Sequence, residues 1–139
     1  MDEREGERLD LRRPDRPGSW QVIARSKKVA ADWNEICNSV AGEAQRVFDQ
    51  LQSDPMHDDG DRQHPLEGSA GRGTFEGTDF VRWQIDITSG GRIWYFVDPT
   101  PTGSGQRRRS GTVIIDAVHA GHPKQTERRL AGKRRPGRR

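Results

Sequence analysis

Apolar and polar residues alternate strictly in one stretch of the sequence, residues 80–98. From position 81 to position 87 the odd positions are apolar, and the even positions between them are polar. A period of two predicts a strand with one buried face. Ser-Gly-Gly follows at 89–91, and glycine tolerates the positive φ of tight turns. We therefore predict a β-hairpin whose second strand is residues 92–98.

The register of this hairpin decides which side chains share a face. A three-residue loop at 89–91 would place Thr88 opposite Arg92 and would keep one face dry. The predicted dry face carries Trp83, Ile85, Ile87, Ile93, Tyr95 and Val97. The opposite face, predicted to be open, carries Arg82, Gln84, Asp86, Thr88, Arg92, Trp94, Phe96 and Asp98. Arginines beside aromatic rings suit RNA binding.

Two helices are predicted before the hairpin. Ser26 can cap the first, in which apolar residues recur at helical spacing up to Val40. The second would run from about residue 41 to 52 and end at Asp54-Pro55, because a residue before proline avoids the helical region. Three further strands are predicted, at 20–24, around 72–76 and at 112–118. Polar loops are predicted at 53–65 and 99–111.

This order of elements, β-α-α-β-β-β-β, predicts an α+β fold. A mainly antiparallel sheet of four to five strands would pack on two N-terminal helices within one domain, residues 19–123. Residues 1–18 are predicted to be a disordered tail, and residues 124–139 a basic disordered tail. The basic tail has eight Lys or Arg and one acid, a charge of +7. The rest of the chain therefore carries 3 minus 7, or −4. Such a tail is typical of an arm that meets nucleic acid or an acidic partner, or of a merely solvated end.

Other features exclude several classes of protein. The single Cys37 excludes an intramolecular disulfide. No apolar run is long enough for a membrane span, and residues 1–18 contain no apolar signal region, so we expect a cytoplasmic protein without a membrane partner. The His/Asp cluster at 57–64 and the pair His119/His122 lack the spacing of calcium or zinc sites. We expect neither a metal nor another cofactor.

Several motifs, taken in order, resemble the RelE/ParE superfamily of bacterial toxins, and RelE- and YoeB-like members in particular. They are Asp54-Pro55, His-Pro-Leu-Glu-Gly at 64–68, Arg82, Arg-Ile-Trp-Tyr at 92–95 and the apolar strand at 113–118. The likeness covers roughly residues 20–123. It implies the fold predicted above and a small cognate antitoxin as partner. RelE- and YoeB-like members cleave mRNA on the ribosome without a metal, whereas ParE-like members inhibit DNA gyrase.

The resemblance thus implies the toxin of a toxin–antitoxin system. We expect a ribosome-dependent, metal-independent mRNA endoribonuclease that inhibits translation, with the ribosome and mRNA as its partners. One alternative is a ParE-like toxin that binds DNA gyrase without catalysis. The other is a non-toxic module that binds nucleic acid through the aromatic-basic face and the tail.

Cleavage by the RNA 2′-hydroxyl needs a base, cations for the phosphorane and an acid for the leaving 5′ oxygen. Arg92 matches the key arginine of the YoeB-like pattern, and Arg82 shares its face; either arginine could instead pair with Asp86 or Asp98. By resemblance, His64 stands at the position of the base, with Glu67 as an alternative, and His122 near the position of the acid. We predict further RNA contacts from Arg72, Trp94, Arg107, Arg108, Arg109, His119 and Lys124.

Overall fold

The computed structural model describes Arg16 and residues 18–121. Its two helices are α1 (Lys27–Ser39) and α2 (Ala41–Ser53). Its strands are β1 (Gln21–Ala24), β2 (Gln63–Pro65), β3 (Arg72–Phe75), β4 (Thr78–Val81), β5 (Trp83–Asp86), β6 (Arg92–Asp98) and β7 (Thr112–His119). Short 3-10 turns lie at Gly68–Gly71 and Gly105–Arg107. The predicted site residues His122 and Lys124 and most of both predicted tails lie outside the described residues.

Five strands form one mixed sheet in the order β1-β7-β6-β5-β2, and β3 and β4 form a separate two-stranded sheet. β1 runs parallel to β7, and the other neighbours in the larger sheet are antiparallel. The predicted α+β class and the mainly antiparallel sheet of four to five strands agree with the structure. The predicted strand around 72–76, however, is β3 of the separate two-stranded sheet, and β2 is the fifth strand of the larger one. The edge strand β2 lies within a stretch that the sequence predicted to be a loop, and that prediction is wrong at Gln63–Pro65.

Both helices begin and end close to the predicted positions, because their signals are local. The Ser26 hydroxyl accepts a hydrogen bond from the Val29 amide at 3.2 Å, which caps α1. Val40, with a non-helical φ of −138° and ψ of 64°, is both the C-cap of α1 and the N-cap of α2, and it separates the two helices. Asp54, before Pro55, is the C-cap of α2. Amphipathic faces of both helices then cover one face of the sheet.

The core between the helices and the sheet contains the predicted dry face of the hairpin. Its buried members are Val29, Ile36, Ala44, Val47, Leu51, Ile85, Ile87, Ile93, Tyr95, Val113 and Ile115, and Trp83 and Val97 pack against them. Tyr95 is fully buried, yet its hydroxyl donates to the Pro55 carbonyl at 2.6 Å and accepts from Gln63 Nε2 at 2.9 Å. A buried phenol without such partners would be destabilising. The prediction that Tyr95 points into the core is confirmed.

The turn of the hairpin differs from the prediction by one residue. Asp86, not Thr88, lies opposite Arg92, and the Ile87 amide bonds the Gly91 carbonyl at 3.0 Å, so the loop is residues 88–90. The Thr88 hydroxyl accepts a hydrogen bond from the Gly91 amide at 2.8 Å and closes this turn. The residue paired with Arg92 is thus two positions away from the predicted one. Because a shift by an even number of residues does not turn a strand over, each side chain keeps its predicted face.

The glycines of this turn have a role that the sequence did not predict. Neither Gly90 nor Gly91 has a positive φ. A Cβ atom on Gly90 would lie 2.7 Å from the Gly121 carbonyl oxygen, and one on Gly91 would lie 2.7 Å from the Ala120 carbonyl oxygen. The two glycines therefore let the chain that leaves β7 pass directly against the turn.

The other face of the sheet is less open than predicted. The predicted first hairpin strand is interrupted at Arg82, and its first part, β4, pairs with β3. The resulting β3–β4 hairpin covers part of the sheet, where Phe80 stacks on Phe96 with ring centroids 5.5 Å apart. Phe96 is consequently buried, which corrects its predicted exposure.

Candidate functional site

The part of the sheet that faces away from the helices and is not covered by the β3–β4 hairpin is called the open face here. Two rows of paired residues cross it. One row runs from His64 through Gln84 to Trp94, and the next joins Asp86, Arg92 and His119. Directly paired residues project to the same side of a sheet. The structure thus brings His64, Trp94, Arg92 and His119, all predicted from the sequence, to one surface.

Arg92 and His119 form the central pair of this surface. Arg92 is exposed at the start of β6 and lies directly opposite His119 at the end of β7. Cβ atoms of such cross-strand pairs lie about 5 Å apart. The guanidinium and the imidazole can therefore contact the same phosphate group.

The environment of His119 keeps its imidazole uncharged. Burial of the ring lowers the pKa of His119, the nearby positive charge of Arg92 lowers it further, and Asp116 opposes the shift. Since an unperturbed histidine titrates near pH 6.5, the ring is mostly neutral at pH 7. Its Nε2 atom is buried and has no hydrogen-bond partner among Arg16 and residues 18–121.

Trp94 connects the two rows and is fixed on several sides. Its indole N–H donates to Gln84 Oε1 at 2.9 Å. The ring of His119 meets it edge-on, with centroids 4.6 Å apart and planes at 69°. The guanidinium carbon of Arg82 lies 5.3 Å from the indole centroid, within cation–π range. The indole therefore holds His119 and Arg82 in place, and its predicted contact with RNA stays a prediction.

Arg82 is engaged in contacts within the fold. Its Nε donates to Asp116 Oδ2 at 2.9 Å, and its Nη1 donates to the carbonyls of Ala70 and Arg72 at 2.9 and 3.0 Å. Its side chain is only 16% exposed. The sequence suggested Asp86 or Asp98 as an ion-pair partner, but the partner is Asp116. A role for Arg82 as a second phosphate-binding cation stays a prediction.

Asp116 binds a second arginine, Arg25, and so ties three parts of the chain together. Arg25 Nη1 bonds the other carboxylate oxygen of Asp116, and its Nη2 donates to the Thr74 carbonyl at 3.0 Å. The bonds join β7 to the end of β1 and to the β3–β4 hairpin. We call Arg25, Asp116 and Arg82 the arginine–aspartate lock.

The sequence alone did not predict this lock. Asp116 is an acid among the apolar residues of β7. Strict alternation of side chains along this strand would not place its carboxylate on the open face. A β-bulge opposite Trp94 and Tyr95 adds one residue to β7 there. The only available signal was a lone carboxylate in an apolar strand, since a buried charge needs a partner. Gln84, which holds the indole of Trp94, was assigned to the open face but given no role.

His64 shares the open face with Arg92 but lies two strands away from it. His64 is half-buried on the edge strand β2, and its Nδ1 lies 3.0 Å from the Pro65 carbonyl oxygen. His64 and His119 are three strands apart, or about 14 Å at the usual strand spacing. Arg72 is exposed on β3, where the half-buried Gly73 and Phe75 alternate with it. Glu67 is exposed just after β2.

Arg107, Arg108 and Arg109 lie at the opposite end of the sheet from His119. Their loop follows the end of β6, whereas Arg92 begins that strand, so about 20 Å separates them. Arg107 and Arg108 are exposed, and Arg109 Nη1 donates to the Ser19 hydroxyl at 3.0 Å. The structure does not bring these three arginines to the open face.

Neither a metal-binding cluster nor a membrane-spanning helix is present in Arg16 and residues 18–121. In that part of the chain, no three His, Cys, Asp or Glu side chains converge as metal ligands would. Neither α1 nor α2 is long and apolar enough to cross a bilayer.

Comparison with known proteins adds one distant likeness. No protein-family model and no curated protein matches the sequence. The structure is similar to that of a YoeB/ParE toxin from Agrobacterium tumefaciens, with 19% identity, a TM-score of 0.45, and coverage of 73% of this chain and 99% of that one. At this identity and TM-score the likeness does not assign a function to the chain.

Proposed function

We propose that this chain is the toxin of a bacterial toxin–antitoxin system and that it cleaves mRNA on the ribosome without a metal. In this proposal it acts in the cytoplasm, inhibits translation and is neutralised by a small cognate antitoxin. The observation that carries the proposal is the cross-strand pair of Arg92 and His119, which places an exposed arginine directly opposite a half-buried imidazole on the open face.

The reaction transfers the phosphoryl group within the RNA. The 2′ oxygen forms a bond to the adjacent phosphorus, and the bond from phosphorus to the 5′ oxygen breaks. The products are a 2′,3′-cyclic phosphate and a 5′-hydroxyl end. The proton lost from the 2′-hydroxyl goes to a base, and the leaving 5′ oxygen takes a proton from an acid.

Arg92 would bind the phosphate and stabilise the charge of the phosphorane. Arginine suits this role because its planar fork matches two phosphate oxygens and keeps its charge at any relevant pH. Arg92 is exposed, and the charge that it places near His119 contributes to lowering the pKa of that imidazole. A donor aimed at charge that develops in the transition state contributes about 3 kcal/mol in comparable enzymes.

His119 would be the base. A neutral imidazole can accept the 2′ proton at neutral pH, and the lowered pKa of His119 favours that form. Because Nε2 is buried, we assign the proton transfer to Nδ1. This changes the expectation from the sequence, which gave the base role to His64 and RNA contact to His119. The acid remains assigned to His122, which lies outside the described residues.

One observation favours the ParE-like alternative. Arg82, the second cation that cleavage would use, is bonded to Asp116 and to two backbone carbonyls. Arg92 is then the exposed arginine of the open face, and a single exposed cation also suits a surface that only binds DNA gyrase.

A short pulse of expression followed by mapping of RNA 5′ ends separates these functions. The ribonuclease predicts growth arrest and new 5′-hydroxyl ends inside the codons of translated messages. Intact messages with inhibited supercoiling and DNA-damage signalling would instead identify a gyrase inhibitor. RNA affinity without arrested growth would leave only the nucleic-acid-binding module.

A further inference from the structure

Four arginines lie in two neighbouring segments at the end of the sheet opposite His119. Three belong to the loop between β6 and β7, and the fourth, Arg16, precedes β1. The two segments are joined by backbone hydrogen bonds from Gly18 to the Arg108 carbonyl at 2.7 Å and from Ser110 to the Ser19 carbonyl at 3.1 Å. We call this group the arginine end; its members are Arg16, Arg107, Arg108 and Arg109.

The loop that presents these arginines has a defined backbone. Thr102 and Arg109 form an isolated antiparallel bridge, with hydrogen bonds of 3.2 and 2.7 Å between their amides and carbonyls. A 3-10 turn, Gly105–Arg107, closes the tip. Gly103 has a φ of +72°, and a Cβ atom there would collide with the Arg107 carbonyl. The arginines are therefore presented on a formed scaffold, which reduces the entropy lost on binding a ligand.

The loop that presents Arg107 and Arg108 contains no carboxylate of its own. Residues 99–115 contain three arginines and no Asp or Glu. Of the acids that flank this stretch, Asp116 is held by Arg25 and Arg82, and Asp98 Oδ1 accepts a hydrogen bond from the Thr100 amide at 3.0 Å. Arg16, Arg107 and Arg108 are exposed. The neighbouring positive charges of the exposed Arg107 and Arg108 repel each other in the free protein, and a polyanion relieves that repulsion.

We infer that the arginine end is a second RNA-binding site, which holds the phosphate backbone about 20 Å from Arg92. Arginine forks bind phosphate oxygens in pairs and do not read the base. The site therefore anchors RNA without sequence preference and is separate from the cleavage site. The inference depends on the proposed function only for the choice of RNA as the polyanion.

This inference is tested by measuring the affinity for a single-stranded RNA oligonucleotide by fluorescence anisotropy at salt concentrations from about 50 to 200 mM. All proteins would also carry Arg92→Ala, so that the RNA stays intact. The double variant Arg107→Ala/Arg108→Ala should bind more weakly and lower the log–log salt slope by about 1.4, or 0.7 per lost phosphate contact. The matched control Lys27→Ala/Lys28→Ala removes two exposed charges from α1 and should keep the slope. Equal slopes in the two double variants would overturn the inference.

The same variants show whether this inference and the proposed function fail separately. If the chain does not cut RNA but Arg107→Ala/Arg108→Ala still lowers RNA affinity, the proposed function fails and the arginine end stands. If cutting occurs and this double variant, with Arg92 intact, has an unchanged KM, the arginine end is wrong. The inference predicts a raised KM with an unchanged kcat. A loss of binding to anionic lipid vesicles but not to RNA would also overturn it.

Discussion

Removing the charge of Asp116 should weaken the whole fold. The carboxylate accepts hydrogen bonds from Arg25 and Arg82, and its side chain is 7% exposed. Breaking one side of a buried ion pair typically costs about 3 to 5 kcal/mol, because the partner is left buried and unpaired. Asp116→Asn keeps the shape and one acceptor, and Arg25 is 34% exposed, so solvent screens part of the loss. We expect a loss of about 3 kcal/mol.

Urea denaturation, monitored by circular dichroism, measures this loss of unfolding free energy. In a thermal melt, the melting temperature of a domain of this size should fall by about 12 °C, at about 4 °C per kcal/mol. Asp79→Asn is the matched control, since Asp79 is exposed on β4. Arg25→Ala should cost less than Arg82→Ala, because Arg25 is the more exposed of the two. The reasoning is refuted if Asp116→Asn loses no more stability than Asp79→Asn.

Two further predictions concern the ionisation of His119 and the packing around two glycines. Because the pKa of His119 is lowered on folding, the stability that depends on its neutral ring is present above about pH 6.5 and is lost as the pH falls below that value. Urea midpoints between about pH 7.5 and 5 should therefore decline less in His119→Gln than in the natural chain, and equal declines would contradict this. Gly73→Ala should destabilise by about 1 to 3 kcal/mol, since its Cβ would lie 2.5 Å from Arg82 Nη2 and 2.7 Å from Phe96 Cζ. Gly42 lies in α2, and a Cβ atom there would have no atom within 4 Å. Gly42→Ala should therefore stabilise the fold by about 0.5 to 1 kcal/mol. Thermal melts in which both glycine variants shift the melting temperature in the same direction would be inconsistent with this packing.

Short-range signals predicted much of the fold. The alternation at 81–87 correctly assigned the buried face of the hairpin, and the cap at Ser26 and the stop at Asp54 correctly bounded the helices. These signals depend only on residues within a few positions of each other. The side chains of the hairpin were assigned to the correct faces even though the turn was predicted wrongly, because the register differs from the prediction by an even number of residues.

Long-range contacts determined what the sequence could not predict. Gly90 and Gly91 are required by the backbone at 120–121, which is remote in sequence. Phe96 is buried because the β3–β4 hairpin folds over it, although alternation alone predicted it to be open. The edge strand β2 is only three residues long and too short to show a period.

The candidate site was predictable in part for the same reason. Arg92 was assigned to the open face by alternation, and the structure has it exposed there. Its neighbour His119 belongs to a strand that begins fourteen residues after β6 ends, and no local pattern pairs the two. Asp116 reaches Arg82 only because a bulge adds a residue to β7, and the sequence shows no sign of that bulge.

In the proposed function, Arg92 stabilises the transition state of RNA cleavage. The yield of new 5′-hydroxyl RNA ends after a pulse of expression, with protein levels matched, measures that role. Arg92→Ala should lower the yield at least about 100-fold, Arg92→Lys should retain part of it, and the exposed-helix control Lys27→Ala should be unchanged. Full cleavage by a folded Arg92→Ala variant would contradict the claim.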